Sequence, residues 1–168
     1  ILIAHRGASG YLPEHTLPAV VAAHTMGADY IEQDIVLSRD GVPLVLHDIY
    51  LDTTTDVARQ FPGRQRQDGR FYAIDFDLHE IKTLSVRERT TADGKAVFPD
   101  RFPVVDMALR IPTLAEEITL ISGLNQSRGT QTGYYVEMKA PASHQAAGRG
   151  IAGITLAPLD QAGRNAKA

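Results

Sequence analysis

The 168-residue chain is 43% hydrophobic and 22% charged, the balance of a globular domain with enough chain for one core. A net charge of −3 gives no electrostatic case for nucleic acid, and no apolar run reaches the length of a membrane span. The lack of any cysteine excludes disulfides and thiolate metal sites.

The chain opens on Ile1 rather than Met, so it is expected to start inside a longer translation product. Ile1-Leu2-Ile3-Ala4 is a continuous apolar run, the pattern of a strand buried on both faces. It leads into His5-Arg6-Gly7-Ala8-Ser9-Gly10, a loop at the strand's C-terminal end. A histidine beside a strand is more often structural than catalytic. His-Arg-Gly at the mouth of a buried strand is better suited to anion chemistry, because Arg offers phosphate a bidentate fork and Gly lets the backbone approach. Thr16 is placed to cap a helix, Pro18 fits its first turn, and Leu17, Val20, Val21 and His24 follow helical spacing up to Gly27.

The next strand, Ala28 to Leu37, contains Glu32 and Asp34, whose side chains share one face. Two carboxylates among apolar neighbours repel each other unless solvent or a hard cation lies between them. Strand, helix and strand form a βαβ unit, so His5, Arg6, Glu32 and Asp34 are expected on one rim. Asp40-Gly41 then signals a hairpin into Val42–Leu46. A two-residue turn at 40–41 sets Asp34 opposite His47 and turns that second imidazole into the same site; a one-residue bulge would break the register.

Residues 50–112 carry scattered Gly, Pro and charge, with one short capped helix expected at Asp77–Leu84. A stretch this long is more than a connection. It reads as an insertion folded over the rim, a lid or substrate-side subdomain, and its aromatics (Phe61, Phe71, Tyr72, Phe76, Phe98, Phe102) favour packing over a disordered excursion. Thr113-Leu114-Ala115-Glu116 is a capping box, opening a helix through Ile118, Ile121 and Leu124 that Gly123 and the polar 125–133 stretch are expected to end. Tyr134–Lys139 is a strand with Glu137 and Lys139 on one face, a pair that completes a carboxylate cage or lies plainly on the surface. In the tail, His144 to Ala168, Ile151, Ile154 and Leu156 suggest a helix that Pro158 would interrupt.

His5-Arg6-Gly7, Pro13-Glu14-His15-Thr16, Glu32-Gln33-Asp34, Asp40-Gly41 through His47-Asp48, and Glu137-Met138-Lys139 together resemble the glycerophosphodiester phosphodiesterase family in order, spacing and residue type. The wording from His5 to Thr16, and Tyr72–Phe76 in the insertion, are most similar to its periplasmic bacterial branch. The resemblance implies an α/β TIM-barrel phosphodiesterase fold. A TIM barrel takes about 250 residues, so residues 1–168 would be its N-terminal portion with an insertion at about 50–112. It implies hydrolysis of glycerophosphodiesters to sn-glycerol 3-phosphate and an alcohol, without nucleic acid or a membrane span. By resemblance, Glu32, Asp34 and Glu137 hold a divalent metal, Ca²⁺ before Mg²⁺. His5 and His47 are the acid/base pair, Arg6 and Lys139 contact the phosphate, and Glu14 supports them. The competing readings are a phospholipase acting on intact lipid, and an inactive binding or surface protein that keeps the fold; loss of a histidine or carboxylate would favour the latter, and none is lost.

Overall fold

The structure, a computed structural model, describes residues 1–162. β1 (Ile3–Ala4) leads through the His5–Thr16 loop to α1 (Leu17–Thr25) and the central strand β2 (Tyr30–Leu37). β3 (Pro43–Val45) follows a tight loop. The 50–112 segment holds α2 (Val57–Gln60), a 3₁₀ turn at Ala73–Asp75 and α3 (Leu78–Ile81). Then come α4 (Leu114–Arg128), β4 (Gly133–Met138), α5 (Pro141–Ala146) and α6 (Ile151–Gln161). The last six residues of the tail lie outside the described residues.

β2 organises the sheet. On one side it pairs in parallel with β4 along nearly its whole length. On the other it pairs in parallel with β1 at its start and antiparallel with β3 at its end. Every β2 residue from Ile31 to Leu37 is buried. Its two faces divide by strand alternation. Ile31, Ile35 and Leu37 face the helical layer, packing with Val20 and Ala23 of α1, Leu114, Ile118 and Ile121 of α4, and Ile151 and Leu159 of α6. Val36 faces the other way, into a core shared with Leu51, Val57, Phe71, Phe76, Ile81, Leu84 and Ile111. The 50–112 segment therefore carries a buried core of its own on the β2–β3 face that also bears Glu32 and Asp34. Phe98 stays at the surface against Arg101.

Four local expectations change. Ile1, Leu2 and Ile3 are exposed rather than buried on both faces, because among the described residues β1 has a strand on one edge only. The hairpin loop has three residues, not two. Ser38 N–H donates to Val42 O, Gly41 takes φ +81°, and Asp34 stands opposite Leu46, whose N–H donates to Asp34 O at 2.8 Å. The helix after Thr113 continues to Arg128, ending at left-handed Gly129, because Asn125 extends its buried stripe and bonds His24 and Thr132. α6 runs through Pro158, which sits in its last turns and lacks the N–H that would bond the Ile154 carbonyl. Two predicted caps form: Glu116 N–H donates to Thr113 Oγ1 at 3.2 Å, and the Asp77/Glu80 box opens α3. Thr16 takes the N-cap position of α1, but its hydroxyl donates to Pro13 O at 2.8 Å and does not cap the helix.

Gln33 and Glu117 are both fully buried beneath the helices. Burial pushes the Glu117 carboxyl up from 4.5 to about 8, although the Gln33 amide beside it opposes the rise. The folded chain thus keeps a proton that the unfolded chain releases. Its stabilising effect is complete below about pH 4.5 and is lost as pH rises toward about 8, at about 1.4 kcal/mol per pH unit. Glu117→Gln is expected to match the parent's urea midpoint near pH 4.5 and exceed it near pH 8. A difference between the two proteins that does not vary with pH would exclude Glu117 as the titrating acid.

Candidate active site

The C-terminal ends of β1, β2 and β4 deliver charge to one place. Parallel pairing sets Asp34 directly opposite Glu137, with Glu32 two residues back on the same β2 face. Ligand oxygens of Glu32, Asp34 and Glu137 all lie within 4.8 Å of one another. Asp34 is 1% exposed and Glu32 9%, whereas the Glu137 side chain is half exposed.

The loop after β1 wraps this cluster. Arg6 N–H donates to Glu32 Oε2 at 3.0 Å, and His5 Nε2 lies 3.6 Å from the same oxygen. The Arg6 guanidinium reaches Glu14 at 3.2 Å and approaches Asp34 Oδ2 at 3.5 Å. His15 Nε2 hydrogen-bonds Asp34 Oδ2 at 2.9 Å. The geometry is bought with backbone strain. Arg6 and His15 both hold left-handed φ, 59° and 57°, and are tied by the His15 N–H to Arg6 O bond. Non-glycine residues in that region cost about 1–3 kcal/mol each.

From β4, Lys139 Nζ bonds Glu137 at 2.7 Å and stands 3.6 Å from Asp34 Oδ1. Burial opposes its charge, but these carboxylates hold the ammonium above its usual range. Burial likewise disfavours ionised Asp34; the His15 hydrogen bond, with the charges of His15, Lys139 and His47, outweighs it and keeps the carboxyl below its ordinary value. The changed hairpin register takes His47 off the ladder position opposite Asp34. It lies in the bend after β3 and joins the cluster through Asp48, which Arg89 links to Glu14. His47 Nδ1 donates to Asp48 Oδ1 at 2.7 Å, and Nε2 has no hydrogen-bond partner among the described residues. Asp48 stays ionised despite its burial, because His47, Arg89 and Thr53 all bond it.

The permanent cations Arg6, Arg89 and Lys139 pair with Glu14, Asp34, Asp48 and Glu137. Glu32 meets only the His5 ring and the Arg6 N–H, and Asp34 Oδ1 is buried without a hydrogen-bond partner. Oxygen donors at this spacing fit a hard divalent cation.

Residues 5–157 match the Glycerophosphoryl diester phosphodiesterase family. The chain belongs to it. A Haemophilus influenzae glycerophosphodiester phosphodiesterase is 49% identical over 99% of this chain and 47% of its own length. A solved Silicibacter pomeroyi structure superposes with TM-score 0.75 at 28% identity, covering 96% of this chain and 53% of that one. An Oleispira antarctica phosphodiesterase, solved in complex with the product sn-glycerol-3-phosphate, gives 0.66 at 28%, covering 95% and 51%. The chain spans about half the length of the curated relatives it matches. The family's fold is the TIM barrel, and the β1–β4 sheet with its helices is part of one.

All eight site residues expected from the sequence (His5, Arg6, Glu14, Glu32, Asp34, His47, Glu137, Lys139) belong to one connected cluster. Three further members carried no expected role. Asp48 follows His47 in its motif and bonds that ring. His15 stands inside the Pro13–Thr16 motif, where its adjacency to Glu14 was the available signal. Arg89 comes from the aperiodic 50–112 segment, where nothing local marks it.

Gly7 closes the loop. It holds φ +76°, and a Cβ there would lie 3.0 Å from the Ala19 carbonyl carbon in α1. Gly7→Ala is therefore expected to destabilise the fold by more than about 1 kcal/mol, since φ and backbone contact both oppose it. Chemical denaturation measures this, and an unchanged midpoint would contradict the close packing of the loop on α1.

Proposed function

We propose that the protein carrying this chain hydrolyses glycerophosphodiesters to sn-glycerol 3-phosphate and an alcohol, with a divalent cation, Ca²⁺ in preference to Mg²⁺, held by Glu32, Asp34 and Glu137. The observation that carries the reading is the three-carboxylate cluster flanked by two histidines and two cationic side chains. Ca²⁺ is favoured because it tolerates irregular geometry, and one of the three carboxylates is half exposed. The periplasm is the proposed location, on the family wording of residues 5–16; release by osmotic shock checks it. The 50–112 segment is proposed as the substrate-side subdomain of the barrel.

In this mechanism Arg6 and Lys139 bind the phosphate and stabilise the charge that grows on it. Glu32, Asp34 and Glu137 would hold the cation, which would supply Lewis acidity when bound. Of His5 and His47, one takes the proton of the glycerol 2-hydroxyl and the other protonates the leaving alcohol. The free Nε2 of His47 is the atom through which that residue works, since Nδ1 is committed to Asp48. No Ser or Cys nucleophile is positioned by the sequence motifs, which leaves water or the substrate itself; the proposed attacker is the 2-hydroxyl, next to the phosphate-bearing carbon, with the alcohol as leaving group. Proximity makes this effective, with effective molarities of about 10⁵ M or more in well-oriented cases. The cyclic phosphate is then opened by water as the histidines exchange roles.

Release of choline from glycerophosphocholine, with and without a chelator, tests the reading on the whole protein. Chelation is expected to stop turnover and added Ca²⁺ to restore it. Glu32→Gln and Asp34→Asn are expected to lower kcat by at least about 100-fold and to weaken calorimetric Ca²⁺ binding. Unchanged metal affinity in both variants would reject the ligand set. For the cyclic route, an analogue lacking only the 2-hydroxyl is expected to be inert. Turnover at the normal rate would mean that water attacks directly.

A further inference from the structure

Arg89 stands outside every motif that marks the family, yet its guanidinium joins the two halves of the site. Nε and Nη2 donate to the Glu14 carboxylate at 3.1 and 2.6 Å, and Nη1 donates to Asp48 Oδ2 at 2.5 Å. Its side chain is 14% exposed, and burial is outweighed by these carboxylates, which hold it more firmly charged than usual. The backbone around it is pinned: Arg87 N–H and Thr90 N–H donate to the Thr54 and Thr53 carbonyls, and Arg89 O accepts from Val97 N–H.

Each partner of Arg89 leads to a reactive side chain. Glu14 holds the Arg6 guanidinium, whose own residue follows His5 and bonds Glu32 through its N–H. Asp48 accepts the His47 Nδ1 proton on its other oxygen. A planar fork that serves two carboxylates at once is a task for Arg and not for Lys, which offers a point charge. Removal of Arg89 would leave Glu14 and Asp48 short of their counter-charge while each stays largely buried, a penalty that side-chain rotation relieves.

We infer that Arg89 is a positioning residue through which the 50–112 segment sets the orientation of both His47 and the His5–Arg6 loop. Docking of that segment and assembly of the site are then one event. The consequence for catalysis rests on the proposed phosphodiesterase reading; the consequence for His47 geometry does not.

The test uses the whole protein and its Arg89→Ala and Arg89→Lys variants. With glycerophosphocholine, Arg89→Ala is expected to lower kcat by about 10- to 100-fold with KM little changed, because the group touches no substrate. Arg89→Lys should fall between the two, and guanidinium ion in the buffer should restore part of the Ala variant's rate. Independently of activity, ¹⁵N shifts of the His47 ring should report a single Nδ1–H tautomer in the parent and a mixture in Arg89→Ala. Should the parent itself prove inactive, the functional reading falls and the ring shifts still decide the role of Arg89. The inference is overturned if the Ala variant keeps its kcat and its His47 tautomer. It is equally overturned if the rate falls together with the melting temperature while the tautomer is unchanged and neither Lys nor guanidinium restores activity, since that pattern describes a purely structural contact.

Discussion

The register between β2 and β4 puts two carboxylates, Asp34 and Glu137, directly across from each other. Like charges at that separation oppose strand pairing. Most of the surrounding architecture is a response to it. Lys139 reaches across both, Arg6 and His15 approach Asp34 from the β1–α1 loop, and the strained φ values of Arg6 and His15 are the cost of bringing those groups to a point inside the loop's own curl. Asp34 Oδ1 remains a buried oxygen without a hydrogen-bond partner, and it is the feature on which the proposed cation site rests.

What the sequence made legible follows from its strongest local regularities. Alternation along β2 located Glu32 and Asp34 on one face, and the structure keeps the hydrophobic set Ile31, Ile35 and Leu37 on the other. The βαβ logic gave the parallel pairing of β1 with β2, and the capping box gave the start of α4. These signals are short-range and have one physical solution each. The hairpin register was less secure, because Asp-Gly serves both two-residue turns and three-residue loops with left-handed Gly. The Ser38 side chain decides between them: its hydroxyl oxygen accepts the Val42 N–H at 2.9 Å and widens the loop.

His15 and Arg89 were invisible for different reasons. His15 had a place in a motif but no role that spacing could assign, since its left-handed backbone turns its side chain in a direction no regular element predicts. Arg89 is separated from Glu14 by 75 residues of sequence. Nothing in its neighbourhood distinguishes it from Arg87, which is two residues away on the same irregular strand-like stretch. Long-range ion pairs depend on how a segment docks, and docking of the 50–112 segment is set by its apolar core, Phe71, Phe76, Ile81 and Leu84 against Val36 and Leu44. The end of α4 was misplaced on similar grounds: Asn125 continues the helix because His24 and Thr132 satisfy its amide, partners that lie far away in sequence or beyond the helix.

The placement of Asp48 shows how the two layers of the site depend on each other. One of its oxygens takes the His47 proton; the other takes Arg89 and Thr53, both from the 50–112 segment. Were the segment absent, Asp48 would be a solvated carboxylate beside a freely rotating imidazole, and either ring nitrogen could carry the proton. With it docked, the carboxylate is fixed on three sides and the tautomer follows. Strand ends alone can gather the carboxylates, because parallel register is a property of the sheet. Orienting an imidazole that lies past the end of β3, where no ladder constrains it, requires bonds from outside the sheet. The 50–112 segment supplies them, through Arg89 and Thr53.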